Sequence, residues 1–465
     1  MKKQARNKQQ AMSSYKLKKG YDLRIEGAAE VVLESIARPT QVAVDGTEFH
    51  GLRPKMMVKA GDKVKAGSPL FLQKGTENFF FTSPVSGTVK DVVRGERRVL
   101  QEVVIDADEK DEFEEFQTIS SGDLLNTSRE VILEQVLKSG VFANVTARPF
   151  AVLADPSDTP RDIFVTAYLT GPLAPEVNLI IQGKEAAFQA GINALSKLTS
   201  GSVHVSIEGG RADLSDALKS VANAKVHQFN GPHPAGNVGI QIHHIAPMKK
   251  DEVVWTLDLA GVISIGQVFL EGKVSNERVI ALTGECVSER KHYKVVSGSA
   301  VAQVTANKLA NDKDVRFISG DVLTGRNVGT KGFLGTTDSQ LTVIPEVPGY
   351  DFMGWMKPGL DKESYSKTFL SWLSPSKKYS HNTGYHGGVR AFVQTGVYET
   401  VVPMDIYPVH LIKCIMAEDI EAMEGLGILE VAPEDFALCD YICVSKIEVQ
   451  DTLRKGLDLY RKEGC

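Results

Sequence analysis

Two glycine-punctuated runs constrain this chain more than any other feature. They are residues 57–73, reading Met-Val-Lys-Ala-Gly-Asp-Lys-Val-Lys-Ala-Gly-Ser-Pro-Leu-Phe-Leu-Gln, and residues 82–89, reading Thr-Ser-Pro-Val-Ser-Gly-Thr-Val. Val58, Val64, Leu70 and Leu72 fall in short apolar segments separated by Ala60-Gly61-Asp62 and Ala66-Gly67. Glycine enters φ > 0 without steric cost, so Gly61 and Gly67 are expected at tight turns. Phe79-Phe80-Phe81 adds a β-prone run, stopped by Ser83-Pro84 and turned again at Gly87. The pattern predicts two similar β units folded against each other.

That arrangement resembles the biotinyl/lipoyl-like barrel-sandwich, which ordinarily carries a cofactor on a hairpin lysine. Here the tip reads Gln73-Lys74-Gly75-Thr76-Glu77-Asn78, without the Met-Lys-Met or Asp-Lys-Ala flanks that modification requires. A packing or docking module is therefore expected in place of a carrier. Three stretches taken together, Lys18-Lys19-Gly20-Tyr21-Asp22-Leu23, this β unit, and Arg94 to Gln101, resemble the NqrA family, which supplies one subunit of Na+-translocating NADH:quinone reductases. Gly396 to Ile406 and Leu438 to Cys443 extend the likeness, as does Phe317 to Gly325, which is also similar to the iron–sulfur subunit of the related Rnf complex. The resemblance implies a peripheral subunit on the cytoplasmic face of the cell membrane. Other subunits, one of them in the membrane, would hold it there and carry the NADH and flavin chemistry. Quinone would be its ligand, with no cofactor covalently bound to this chain.

At 465 residues the chain is long enough for several cores. Its net charge of −5 argues against a nucleic-acid partner, which calls for a basic surface. Cys286, Cys414, Cys439, Cys443 and Cys465 are too few and scattered for a disulfide framework. Cys439 and Cys443 are two thiols where an iron–sulfur cluster needs four ligands, so two cysteines in a helical turn are expected. Val253 to Leu270 contains Asp258 and Gln267 and reads as a buried strand followed by a helix, not a membrane span. Residues 1–14 are polar and lysine-rich, read as a solvated, disordered extension.

The expected architecture is multidomain α/β. Residues 15–106 form the barrel-sandwich domain and 107–160 a linker with a helix. Residues 161–272 form a Rossmann-like α/β domain, 273–345 a small β-grasp domain, and 346–465 a helical C-terminal domain. The acidic run Asp106 to Glu115 reads as a solvated linker, and Thr127-Ser-Arg-Glu130 as a capping box opening a helix through Leu137, with Gly140 at its exit. Arg148-Pro149-Phe150 and Pro156 to Pro160 read as an irregular passage. Strands are expected at Ile163–Val165, Val177–Ile181, Val203–Ile207 and Lys225–Phe229, with helices at Lys184–Leu198 and Leu214–Val221, an alternation that implies a parallel sheet. Strands at Arg278–Leu282 and Tyr293–Val296 and a helix from Ala300 suggest the β-grasp unit. Helices are expected at Val409–Met416 behind Pro408, and at Ala417–Leu426, Pro433–Leu438 and Glu448–Lys462.

For function, Glu208-Gly209-Gly210 lacks the G-x-G-x-x-G spacing that brings a pyrophosphate to a helix N-terminus, and reads as a plain βα turn. The most unusual loop is Asn230-Gly231-Pro232-His233-Pro234-Ala235-Gly236, followed by His243-His244. Its prolines stiffen it and its glycines allow sharp turns. The histidine spacing matches no zinc pattern, so the loop reads as a pocket wall or a structural loop. It also matches the family. A quinone site needs an apolar groove and donors for two carbonyl oxygens. The candidate quinone-binding residues are accordingly Gly231, Pro232, His233, Gly236, His243 and His244. Two further readings stay open: a docking adaptor with no ligand, and a soluble NADH or flavin oxidoreductase, against which the missing cofactor motifs weigh.

Overall fold

Alternating β-branched and polar residues from position 41 onward close a small β domain in the computed structural model, which describes residues 12–310, 314–347, 349, 353–393 and 395–464. Gln41–Asp45, Leu100–Ala107, Gly87–Arg94 and Lys63–Val64 make a four-stranded antiparallel sheet, and Pro54–Met56, Pro69–Gln73 and Phe80–Thr82 a three-stranded one. Val42, Val44, Val103 and Ile105 point inward and are buried, as period-2 patterning requires. Phe71, Phe79 and Phe81 stack at 4.7 and 5.2 Å between the sheets. Gly61 (φ +92°) and Gly67 (φ +94°) occupy the left-handed turns expected of them.

The acidic run after this domain is not a free linker. Arg38 clasps Asp111 through two bonds of 2.6 and 2.7 Å, Ala66 bridges Phe113, and the Phe116 amide donates to the Gly272 carbonyl. These contacts strap the segment across the barrel-sandwich and onto the next domain. Charge count alone overlooked this, because a single arginine and backbone pairing suffice to seat the strand. The following helix is Arg129–Lys138 with Ser128 as its N-cap. The expected capping box does not form, since the Thr127 hydroxyl donates instead to the Asp123 carbonyl.

The α/β domain is built on a seven-stranded sheet in the order Ser13–Lys16, Lys225–Asn230, Val203–Glu208, Ile163–Ala167, Val254–Asp258, Thr146–Arg148, Val152–Leu153. The first five are parallel and the last two antiparallel. Val203–Glu208 is buried on both faces, Val203, Val205 and Ile207 on one and the polar His204 and Ser206 on the other. The helices Glu185–Ser196 and Leu259–Glu271 pack closely together over it. Several expectations are corrected here. Val177–Ile181 is a helical turn, capped by the Glu176 carboxylate on the Asn178 amide, and not a strand. It buries Val177, Ile180 and Ile181 at helical spacing, and a five-residue apolar run carries too little periodicity to separate the two. The passage through Arg148 is an edge hairpin of the sheet. The extension is ordered at its end, where Ser13 and Ser14 pair with His227 and Gln228; residues 1–11 lie outside the described residues. The helix expected at Leu214–Val221 is reduced to the single turn Asp216–Lys219.

The third sheet has six strands, in the order Arg326–Asn327, Val315–Ser319, Gln340–Pro345, Glu277–Thr283, Lys291–Val296, Glu30–Ser35. Its helix Val301–Val304 is one turn, and its edge strand comes from near the N-terminus, far from the 273–345 span read from sequence. In the C-terminal domain Pro408–Met416, Ile420–Gly425, Ala437–Ile442 and Val449–Glu463 enclose Leu411, Ile412, Leu453 and Leu457. Pro408 opens its helix as expected. Among the described residues no helix is long and apolar enough to cross a membrane.

Candidate functional site

The strand Lys225–Asn230 ends at the carboxyl edge of the parallel sheet, where open α/β sheets bind ligands. The loop that follows is seated on the segment leaving Ile163–Ala167, two strands away across Val203–Glu208. The Tyr168 hydroxyl donates to the Gly231 carbonyl at 2.9 Å, and the Gly236 amide donates to Thr170 Oγ1 at 2.9 Å. A Cβ on Gly236 would lie 2.3 Å from the Tyr168 carbonyl oxygen, which is why glycine stands there. From the other side the Tyr21 amide donates to the His233 carbonyl at 2.8 Å, and the His233 amide donates to Asp22 Oδ1 at 2.8 Å. Gly20 (φ +131°) would drive a Cβ to 2.2 Å from that same carbonyl oxygen.

His233 is 3% exposed, and burial pushes its imidazole down to about 4, so the ring is neutral at pH 7. Its Nδ1 lies 3.1 Å from Thr170 Oγ1. That hydroxyl accepts from the Gly236 amide and keeps both its proton and a second lone pair for the ring. Its Nε2 is buried with no hydrogen-bond partner among the described residues, and is an N–H donor in the tautomer whose Nδ1 accepts from Thr170.

His243 and His244 are placed differently, on the helix Val238–Ile245. His243 Nε2 accepts from the Asp405 amide at 3.1 Å, so its Nδ1 carries the proton and donates to Glu430 at 2.7 Å. His244 Nε2 donates to the Pro403 carbonyl at 2.9 Å. Both hold the C-terminal domain against the α/β domain. Gly231, Pro232, His233 and Gly236 thus share one loop, while His243 and His244 line a domain junction.

Sequence reading missed three partners. Asp22 and Thr170 touch His233 from remote positions, although Asp22 lies in one of the stretches that carried the family resemblance. His204 stacks on His227 and reaches it at 2.9 Å, while its Nε2 lies 3.3 Å from Asp162, whose carboxyl is held at about 2 against its burial, chiefly by the His204 hydrogen bond. A lone histidine in an apolar strand gives no local signal of such a chain. Beside the loop, sharing Tyr168, lies a cavity of about 240 Å³ lined by Leu169, Pro175, Glu176, Arg211 and His292. Arg211 there bonds Glu176 at 2.8 Å and Asp213 at 3.0 Å, following the Glu208-Gly209-Gly210 turn. In the C-terminal domain Cys439 and Cys443 are buried, and the Tyr398 hydroxyl donates to Cys443 Sγ at 3.0 Å. Among the described residues no group of three or more His, Cys, Asp or Glu could hold a metal ion.

A barrel-sandwich, a largely parallel α/β sheet and a mixed sheet define a multidomain α/β protein. Family models match in the same succession: the NqrA N-terminal barrel-sandwich hybrid domain over residues 15–108, the NqrA second alpha/beta domain over 127–274, and the NQRA C-terminal domain over 279–330. The NqrA subunit of the Na(+)-translocating NADH-quinone reductase of Hahella chejuensis is 42% identical over 450 residues, covering 97% of this chain and all of the relative. Those of Neisseria meningitidis serogroup B and Yersinia pestis bv. Antiqua are 39% and 38% identical over the same 97% of this chain and all of each relative. The chain belongs to the NqrA family of Na(+)-translocating NADH-quinone reductase subunits, and so is one subunit of an oxidoreductase complex. Among solved structures, a NAD+-reducing [NiFe]-hydrogenase in the air-oxidized state covers 76% of this chain and 66% of its own at 10% identity and TM-score 0.37, a likeness too slight to bear on fold or chemistry.

Proposed function

We propose that this chain is the peripheral, cytoplasmic-face subunit that binds or positions quinone in a sodium-translocating NADH:quinone reductase. Electrons arrive through cofactors held by other subunits, and its partners include a membrane subunit. One observation carries the reading: the buried Nε2 of His233, without a hydrogen-bond partner among the described residues, at the sheet's carboxyl edge. A neutral imidazole whose Nδ1 accepts from Thr170 can donate from Nε2 to a quinone carbonyl oxygen without first losing a partner. The stiff loop around it keeps that nitrogen in place, and a cavity of about 240 Å³, which meets the loop through Tyr168 and not through His233, offers room for a ring. Gly231, Pro232 and Gly236 shape the wall. His243 and His244 support it by fixing the helix behind the loop, and their contacts also favour the second reading, a docking adaptor without a ligand.

Quinone photolabelling of the intact complex tests this. Label is expected in the peptide bearing residues 230–236, and His233→Ala is expected to raise the apparent quinone KM several-fold, since one donor to a neutral acceptor contributes about 0.5–1.5 kcal/mol. NADH oxidation by an artificial acceptor should be unchanged. Label confined to other subunits, with unaltered quinone kinetics, would leave the adaptor reading.

A further inference from the structure

The connector between the mixed sheet and the C-terminal helices contains a loop built to show apolar side chains. Phe369, Ser371 and Tyr379 are buried beneath it, with the Tyr379 hydroxyl donating to the Ser371 carbonyl at 2.9 Å. Arg24 reaches under the same turn to the Ser374 carbonyl at 3.0 Å. The Leu370 amide donates to the Pro358 carbonyl at 2.9 Å, and Lys377 Nζ to the Leu360 carbonyl at 3.1 Å, so residues 358–360 and 370–377 are pinned side by side. Glu363 turns inward, bonded to Arg24 and to the Tyr21 hydroxyl, its side chain fully buried. On the outside Met356, Leu360, Leu370, Trp372 and Leu373 are 45–61% exposed.

Charge separates the possible occupants of this face. Residues 356–378 carry five lysines against two acids, in a chain of net charge −5, and one of those acids is the buried Glu363. Protein interfaces favour Trp and Met but are depleted in lysine. A bilayer surface takes both: tryptophan settles at the headgroup level, leucine dips below it, and lysine stays at the anionic phosphates. We propose that the loop 356–378 is a membrane-contacting element, which inserts Leu370, Trp372 and Leu373 into an anionic lipid surface while Lys367 and Lys378 meet the headgroups. This contact is independent of the quinone reading and adds to whatever partner subunits supply.

The purified full chain is mixed at about 0.15 M salt with vesicles of phosphatidylcholine alone or of phosphatidylcholine with phosphatidylglycerol, and sedimented. Binding is expected to the anionic vesicles and at least tenfold weaker to the neutral ones. The combined variant L370S/W372S/L373S should lose at least tenfold in partition to anionic vesicles, and K367E/K378E a comparable amount, each with an unchanged thermal midpoint. Undiminished partition of both variants would assign binding to the N-terminal lysines and overturn the proposal. Failure of the parent chain to bind anionic vesicles would overturn it too, and would leave the face to a protein partner.

Discussion

His233 shows how one side chain can join stability to chemistry. Its folded pKa is lowered from the ordinary 6.5 to about 4 by burial, so between those values the unfolded chain binds the proton and the fold does not. Stability therefore falls as pH drops from 6.5 toward 4, by on the order of 3 kcal/mol from this group. Urea unfolding at pH 7.5 and pH 4.5 should show a smaller acid loss for His233→Gln than for the parent chain. Equal losses would mean that the ring is not held neutral. The same burial that removes the charge leaves Nε2 without a partner among the described residues, which is the property the proposed quinone contact uses.

At the scale of elements, the closest helix contact depends on two glycines. A Cβ on Gly266 would lie 1.7 Å from the Ala187 carbonyl oxygen, and one on Gly191 2.1 Å from the Val262 carbonyl oxygen. The helices Glu185–Ser196 and Leu259–Glu271 meet backbone to backbone there, and neither carbonyl can retreat without breaking its own helix. Gly266→Ala should cost about 1–3 kcal/mol or more through overpacking. Gly425→Ala is the contrast: Gly425 is exposed at the end of its helix with nothing within 4 Å of an added Cβ, and the variant should stay within about 0.5 kcal/mol of the parent. Denaturant midpoints of the two variants distinguish the cases, and similar midpoints would refute the close crossing.

Across the whole molecule, an ionic joint ties the barrel-sandwich to the mixed sheet. Arg326 faces Asp45 at 2.5 Å, Glu48 at 2.8 Å and Asp338 at 4.0 Å, and both Glu48 oxygens accept from the Thr336 amide. One guanidinium cannot offset three carboxylates in so buried a place. Burial first, then the Asp338 charge, lifts Glu48 from its ordinary 4.5 to about 7. A carboxyl with a raised folded pKa holds its proton more firmly in the fold, so its contribution is intact below 4.5 and is lost as pH rises through about 7. Glu48→Gln, which mimics the protonated acid, should compare better with the parent at pH 8 than at pH 5, by on the order of 3 kcal/mol. A difference in stability that does not change with pH would exclude this titration.

Much of the local structure was legible because local structure is what period and punctuation encode. Gly61 and Gly67 marked left-handed turns, Pro408 marked a helix start, and the run through Val253 to Leu270 divided correctly into strand and helix. The peculiar loop Asn230 to Gly236 stood out by its prolines and glycines alone. Tertiary structure decided the rest. It sent consecutive N-terminal segments to different sheets, Ser13–Lys16 beside Lys225–Asn230 and Glu30–Ser35 beside Lys291–Val296. It turned Val177–Ile181 into a helical turn, and it separated His233 from His243 and His244 by giving each its own partner. A strand's pattern states which face is buried but not which edge it joins, because the free energy of pairing depends on partners hundreds of residues away. A histidine's letter likewise carries no record of Asp22 or Thr170, whose approach exists only once the sheet has closed.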